Sequence, residues 1–486
     1  MKICFAVIVL CCIQGYSQHQ DITLRYQLEM IGNKIHVDFQ YNPTENDSSK
    51  FTYGMPAFGG QTDIFKGLQN IKVEEPARVK VDSLNRTLTF YFAQSRSFKA
   101  SYDVVDTRTV INTRSQLFRP IILPDYFFIH GVNLFLTPAF RKPDSHPLVS
   151  VQWKKLPVFP IFYTFDPENN GSKTTVTTLD SITYRFMTGA KDLMVKKFIN
   201  ESGTNYLVLR SGGMPTQTIK EIENFYVMYN REMREFWKDT RKIKYSLILQ
   251  PYLNVNHKMS GVSFGNGFIG KYNKSDSLAK GERRFVISHE IGHYYMSDVE
   301  AFEGEHTEGQ WFNEGFNDYQ TFFNLARTGS LTPEEFTTDI NKIFRQLYSS
   351  PIKNTPNNKI FENFWKLGDY SKLPYWRGCI YAFYLDNQIS IATKNKSSFR
   401  DLMLDLKDIV KGRIKKEFTN EEFINACSKF LVRETVTKDF DDFVVNGNSV
   451  QFENNLLTFF KVENREHAPF LTIIDKKKFI SHYRFK

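Results

Sequence analysis

The sequence predicts an α+β multidomain chain: an N-terminal β-sandwich, a mixed middle region and a mostly helical C-terminal part. Three observations carry this. Apolar residues alternate strictly between Ile22 and Tyr41, the period of half-buried strands. Past residue 160 the pattern changes to short apolar runs interleaved with helical spacing. From about 330 onward amphipathic helices dominate.

The first segment, 1–17, reads as a cleavable signal peptide. Lys2 supplies the positive start and Ile3 to Ile13 an apolar core too short to span a bilayer. Gly15 and Ser17 suit the positions before a cut, giving a mature start near Gln18. Cys11 and Cys12 are preceded by Val and Leu rather than small residues, so simple secretion or a periplasmic location is favoured over a lipid anchor. No other segment is long and apolar enough to cross a membrane. Cys379 and Cys427 remain after the leader, and one disulfide between them is possible.

Residues 18–160 form the expected β-sandwich. Leu24, Tyr26, Leu28 and Met30 alternate, Gly32-Asn33 marks a turn, and Ile35, Val37, Phe39 and Tyr41 alternate again. Val79-Lys80-Val81, a turn at Ser83-Leu84-Asn85, and Leu88, Phe90 and Phe92 repeat the hairpin pattern.

Residues 161–395 form the expected middle domain. Tyr206–Leu209 and Tyr245–Leu249 read as strands, and Ile219, Ile222, Phe225, Tyr226 and Phe236 as one face of a helix ending near Asp239. The Gly-rich stretch 260–270 resembles an edge strand bordering a cleft. Residues 396–486 are expected to be mostly helical, with amphipathic candidates at Phe399–Val410 and Asn420–Phe430.

Composition sets the remaining bounds. With 486 residues, 41% hydrophobic and 24% charged, the chain is an ordinary globular one with room for two or three domains. The net charge of +10 is spread along the sequence, without the basic-aromatic stripe of a nucleic-acid binder.

The chemistry is concentrated in His289-Glu290-Ile291-Gly292-His293. Residues four apart on a helix share a face, so the two imidazoles converge and make half of a zinc site. Glu290 between them can take a proton from a water at the metal. A chance HExxH occurs in roughly one chain of this length in a hundred, so the context matters. Trp311–Tyr319 opens a second helical segment carrying Glu314, the candidate third ligand, and Asp318 one turn further on. Asp318 can accept the second ring N–H of a ligand His and set its tautomer. Between the two helices runs an acidic loop with Glu300, Glu303, Glu305 and Glu308, read as solvated surface, and His306, read as a surface residue.

HExxH followed by Asn313-Glu314-Gly315-Phe316 resembles the gluzincin zinc metallopeptidases, in particular the membrane alanyl aminopeptidase and glycyl aminopeptidase families. Leu373–Gly378 is similar to their Tyr-x-Lys-Gly signature, with Arg377 in place of lysine, and Cys379–Asp386 is similar to the apolar helix that follows it. The resemblance implies a thermolysin-like catalytic domain, one zinc ion on His289, His293 and Glu314, a peptide or protein substrate, and Tyr375 as donor to the oxyanion.

One part of the family pattern is missing. The strand that normally supplies a glutamate for the substrate's amino terminus corresponds to Gly261–Gly267, where Phe264 stands in the glutamate's place. Hydrolysis is expected, with exopeptidase or endopeptidase specificity open. Without a carboxylate at 261–267, N-terminally blocked peptides should be tolerated unless a glutamate of the 300–308 loop reaches the cleft. The competing expectation is a peptide- or protein-binding scaffold that keeps the fold and has lost turnover.

Overall fold

The computed structural model describes residues 23–484 apart from 44–46, 56–57, 94–96, 140–146, 170–172, 202, 256, 274–279, 302–305, 365–367 and 453–455. The leader expected over 1–17 lies outside the described residues.

The alternation at 24–41 becomes an antiparallel hairpin, Leu24–Ile31 with Lys34–Tyr41, joined at Gly32. Gly32 has φ +58°, a conformation that costs glycine little. The hairpin sits within a six-stranded sheet ordered 174–178, 148–153, 24–31, 34–41, 98–105 and 68–73. A four-stranded sheet (137–138, 48–52, 87–91, 78–82) shares its core. Phe39 and Phe90 from the two sheets both pack edge-on against Phe51, at 5.3 and 5.5 Å between ring centroids.

Strand pairing runs past residue 160, the expected limit of the β region. Thr174–Thr178 pairs with 148–152, and Phe186–Ala190 pairs with Tyr126–His130. The latter pair belongs to a third sheet with Ile161–Tyr163 and Ile121–Leu123. Every residue of Tyr126–His130 is buried. Phe127 and Ile129 face the N-terminal core, while Tyr126 and Phe128 face a second core shared with the next sheet. A strand covered on both faces shows no polar alternation, which is why this region is hard to read from sequence.

That next sheet has five strands, ordered Leu193–Asn200, Gly203–Arg210, Ile243–Pro251, Gly267–Tyr272 and Ser260–Phe264. Its middle three are parallel, and the helix Thr216–Phe236 makes one crossover. Of the Gly-rich run expected as an edge strand, Ser260–Phe264 is an antiparallel edge strand, while Gly267 onward belongs to an inner strand paired on both sides. The helix Lys280–Met296 is the next element of the chain after Gly267–Tyr272 and carries the HExxH residues.

The rest is largely helical: Asn317–Arg327, Pro333–Ser349, Gly368–Ala392, Phe399–Ile409, Asn420–Cys427, Arg433–Phe440 and Lys476–Arg484. These helices share one core with the five-stranded sheet and the HExxH helix. A hairpin, Phe460–Arg465 with Ala468–Ile473, interrupts the helical C-terminal part. Buried Asn341 anchors it, donating to the Leu471 carbonyl at 2.8 Å and accepting from the Leu471 N–H at 2.6 Å. Cys379 and Cys427 are both free thiols inside this core, so the disulfide they would permit is absent.

Candidate metal centre and cleft

Four-residue spacing on Lys280–Met296 brings the His289 and His293 rings to 4.6 Å between centroids, at 89° to one another. Their Nε2 atoms lie 3.0 Å apart. Glu314 Oε2 is 3.2 Å from His289 Nε2 and 3.3 Å from His293 Nε2. Among the described residues these three form the one group of three His, Cys, Asp or Glu side chains whose ligand atoms converge within 4.8 Å. His289 Nδ1 lies 2.8 Å from Asp318 Oδ1. A proton on Nδ1 facing that carboxylate would leave Nε2 with its lone pair free for a cation.

The donor set fits a zinc ion. Two imidazole nitrogens and a carboxylate oxygen, all electron-rich, face one another in a buried site, an arrangement that a cation satisfies. A tetrahedral centre with bonds of about 2.0 Å sets its ligands about 3.3 Å apart, and the three atoms are already close to that spacing. The electrostatics agree. Burial pushes the His289 and His293 imidazoles down, but Asp318 and Glu314 reverse this for His289 and Glu314 for His293, so both end raised. Burial likewise opposes charge on Glu314, and the two imidazoles override it, holding the carboxyl far below its ordinary range. The site therefore draws positive charge.

Close backbone contacts explain how the elements converge. A Cβ on Gly292 would collide with the Asn317 side chain, whose Nδ2 donates to the His289 carbonyl at 2.8 Å. The second helix thus rests on the backbone of the first. Glu314 lies on a π-helical turn, Trp311–Phe316, a widened turn that often marks functional positions. That turn touches the helix Gly368–Ala392 at Gly315 and Gly378; a Cβ on either glycine would strike backbone across the contact. The two glycines of the sequence signatures are what allow Tyr375 to approach the histidines. Its ring lies 6.3 Å from that of His289, nearly parallel.

Glu290 is 8% exposed, and its backbone carbonyl accepts from the Tyr245 hydroxyl at 3.2 Å. Burial raises its carboxyl, with His293 and His289 opposing. Burial, then the neighbouring carboxylates led by Glu314, holds the Tyr375 hydroxyl well above its ordinary value, so it stays protonated as a donor. Lys372 sits with its ammonium 4.4 Å from the centre of the Tyr375 ring. Arg377 faces away, donating to the Lys353 carbonyl.

His293, Glu314 and Tyr375 line a cavity of about 510 Å³, together with Arg114, Ser260, Glu300 and Lys372 among others. Arg114 comes from the short helix Thr113–Phe118 of the N-terminal region. Phe264 turns away from this cleft and packs on Phe58, His130 and Tyr184. Its neighbour Ser263 takes the other side of the strand, beside the Tyr245 hydroxyl.

Sequence reasoning passed over Asn313 and Asn317, although both stand within the motif that carries Glu314. It read the acidic loop as solvated surface while leaving open that one of its glutamates reaches the cleft; Glu300 does so, its backbone held in a short parallel strand pair, Glu300–Ala301 with Glu417–Phe418. Glu303, Glu305 and the His306 side chain lie outside the described residues. No described helix is long and apolar enough to cross a membrane.

No protein-family model matches the sequence, and no curated protein matches it. Solved structures do. An aminopeptidase N family protein from Idiomarina loihiensis aligns with a TM-score of 0.71 at 14% identity, over 91% of this chain and 79% of that one. Leukotriene A4 hydrolase from Saccharomyces cerevisiae aligns at 0.52 and 13%, over 89% and 68%. An M1 zinc metallopeptidase from Deinococcus radiodurans, solved as a mutant bound to a Tyr-Ser-Ala substrate, aligns at 0.50 and 12%, over 88% and 94%. At these identities the likeness lies in the backbone: the chain has a mixed α+β multidomain fold, N-terminal sheets and a helical C-terminal part, in common with these structures.

Proposed function

We propose that this chain is a zinc-dependent peptidase with a thermolysin-like catalytic region, hydrolysing peptide bonds in the cleft around His289, His293 and Glu314. The observation that carries the reading is the convergence of those three ligand atoms, with Glu290 and Tyr375 beside them. A zinc ion held there would acidify a water and polarise a peptide carbonyl. Glu290 takes the attacking water's proton; its raised carboxyl suits a group that must gain and then release one. It returns that proton to the leaving amine. Tyr375 donates its hydroxyl hydrogen to the carbonyl oxygen as negative charge builds there. Asp318 keeps His289 in the tautomer that offers Nε2 inward. The leader read at 1–17 fits a secreted or periplasmic enzyme.

The test is a peptide screen. Zinc-loaded protein is incubated with a mixed-sequence peptide library, and mass spectrometry reads new termini. Cleavage that stops on chelation and returns with zinc is expected. Peptide retained without any cleavage would make the chain a binding scaffold and overturn the proposal.

Tyr375→Phe removes the hydroxyl and leaves the ring. On any substrate so found, kcat should fall by about 10²–10³, with KM changing less. A change confined to KM would reduce Tyr375 to a packing residue.

A further inference from the structure

We propose that Glu300 selects a cationic group of the substrate, an ammonium or guanidinium, next to the bond that is cut. This rests on the peptidase reading of the cleft. Glu300 follows the HExxH helix after a single turn, and its backbone is held from two directions. Its N–H donates to the Lys416 carbonyl at 2.7 Å. The next residue, Ala301, is clamped by the Asn313 amide, which accepts from the Ala301 N–H at 3.0 Å and donates to the Ala301 carbonyl at 3.4 Å. Asn313 directly precedes Glu314, so the same motif that places the third ligand also fixes the start of this strand.

The Glu300 side chain lines the same cavity as His293, Glu314 and Tyr375. It is half-buried, and among the described residues its carboxylate makes no hydrogen bond or ion pair. The charges that act on it are Glu417, which repels it and is itself paired with Lys415 at 3.8 Å, and His293. A carboxylate partly removed from water beside a second carboxylate is unfavourable until a cation arrives. A substrate cation supplies that partner.

The rest of the cleft leaves this role to Glu300. Glu290 and Glu314 belong to the proposed chemistry. The edge strand offers Ser260 but no carboxylate, and Phe264 faces elsewhere. Lys372 stands at the Tyr375 side, so the cleft is cationic there and anionic at Glu300. An extended peptide would be oriented by that polarity.

The cation could be the α-ammonium of a free N-terminus or a lysine or arginine side chain, and three probes separate them: Ala-Ala-Ala, N-acetyl-Ala-Ala-Ala and N-acetyl-Lys-Ala-Ala. Binding is measured by calorimetry on zinc-loaded Glu290→Gln protein, so that it is read without turnover. Cleavage by the chain with Glu290 intact is assayed separately, and its absence would count against the peptidase reading alone. At least one cation-bearing probe should bind about 10-fold or more tighter than N-acetyl-Ala-Ala-Ala. Tight Ala-Ala-Ala indicates the N-terminus; tight N-acetyl-Lys-Ala-Ala indicates the side chain. Adding Glu300→Gln should abolish that preference while leaving the affinity of the neutral probe, which reports a folded cleft, unchanged. Equal binding of all three probes, or a preference that survives Glu300→Gln, overturns the proposal.

Discussion

Replacing His293 by alanine should empty the proposed metal site and abolish the proposed peptide hydrolysis. The intact protein should carry about one zinc per chain, as a site with three protein ligands and one open position implies. Two ligands remain in the variant, and the buried Glu314 carboxylate loses one of its two imidazole partners. Loss of one ligand from a three-ligand set lowers affinity enough for dialysis to strip the ion, which elemental analysis would read. The N-terminal sheets should stay folded, since they are built around a core of their own; circular dichroism at the β signal checks this. His289→Ala and Glu314→Ala should behave alike. Stoichiometric zinc retained in both would show that the ion binds elsewhere and would remove the basis of the proposed chemistry.

Glu290→Gln should separate turnover from metal binding. The substitution keeps the shape of the side chain and removes the proton acceptor. Glu290 lies on the helix that carries both histidines but is not one of the three converging ligand groups, so zinc content should not change. The rate on a working substrate should fall by about 10²–10⁴, the range expected for losing a general base. Cleavage by the variant at the unmodified rate would mean that another group takes the water's proton. Because zinc occupancy is measured on the same sample, a slow variant that has also lost its metal is recognised as such.

The candidate site was legible to the extent that it is encoded within single helical turns. His289 with His293, and Glu314 with Asp318, are each four residues apart, and that spacing alone puts each pair on one helix face. The structure brings the two pairs to within hydrogen-bonding distance of each other. Gly292, Gly315 and Gly378 were visible only as letters in a motif. Their physical meaning, backbone touching neighbouring chain across helix contacts, emerges once the helices are packed. Phe264 shows the opposite case. It stands where the sequence pattern would put an anchoring carboxylate, yet it points away from the cleft, and the residue of its strand that lines the cleft is Ser260.

The sequence by itself determined the hairpin at 24–41, the helix bearing HExxH and the residue types of the candidate metal centre, because each depends on a periodicity of two or 3.6 residues within one segment. Only the tertiary structure decided the features that depend on distant segments meeting. The sheets extend beyond residue 160 because strands at 174–178 and 186–190 return to pair with earlier ones. The hairpin at 460–473 docks through Asn341 of a helix far upstream. Cys379 and Cys427 lie in one core and remain thiols. Glu300 enters the cleft because Asn313 and the strand at 417–418 hold its backbone from two sides. No local pattern distinguishes that glutamate from its neighbours in an acidic loop; the pairing partner does, and it lies more than a hundred residues away.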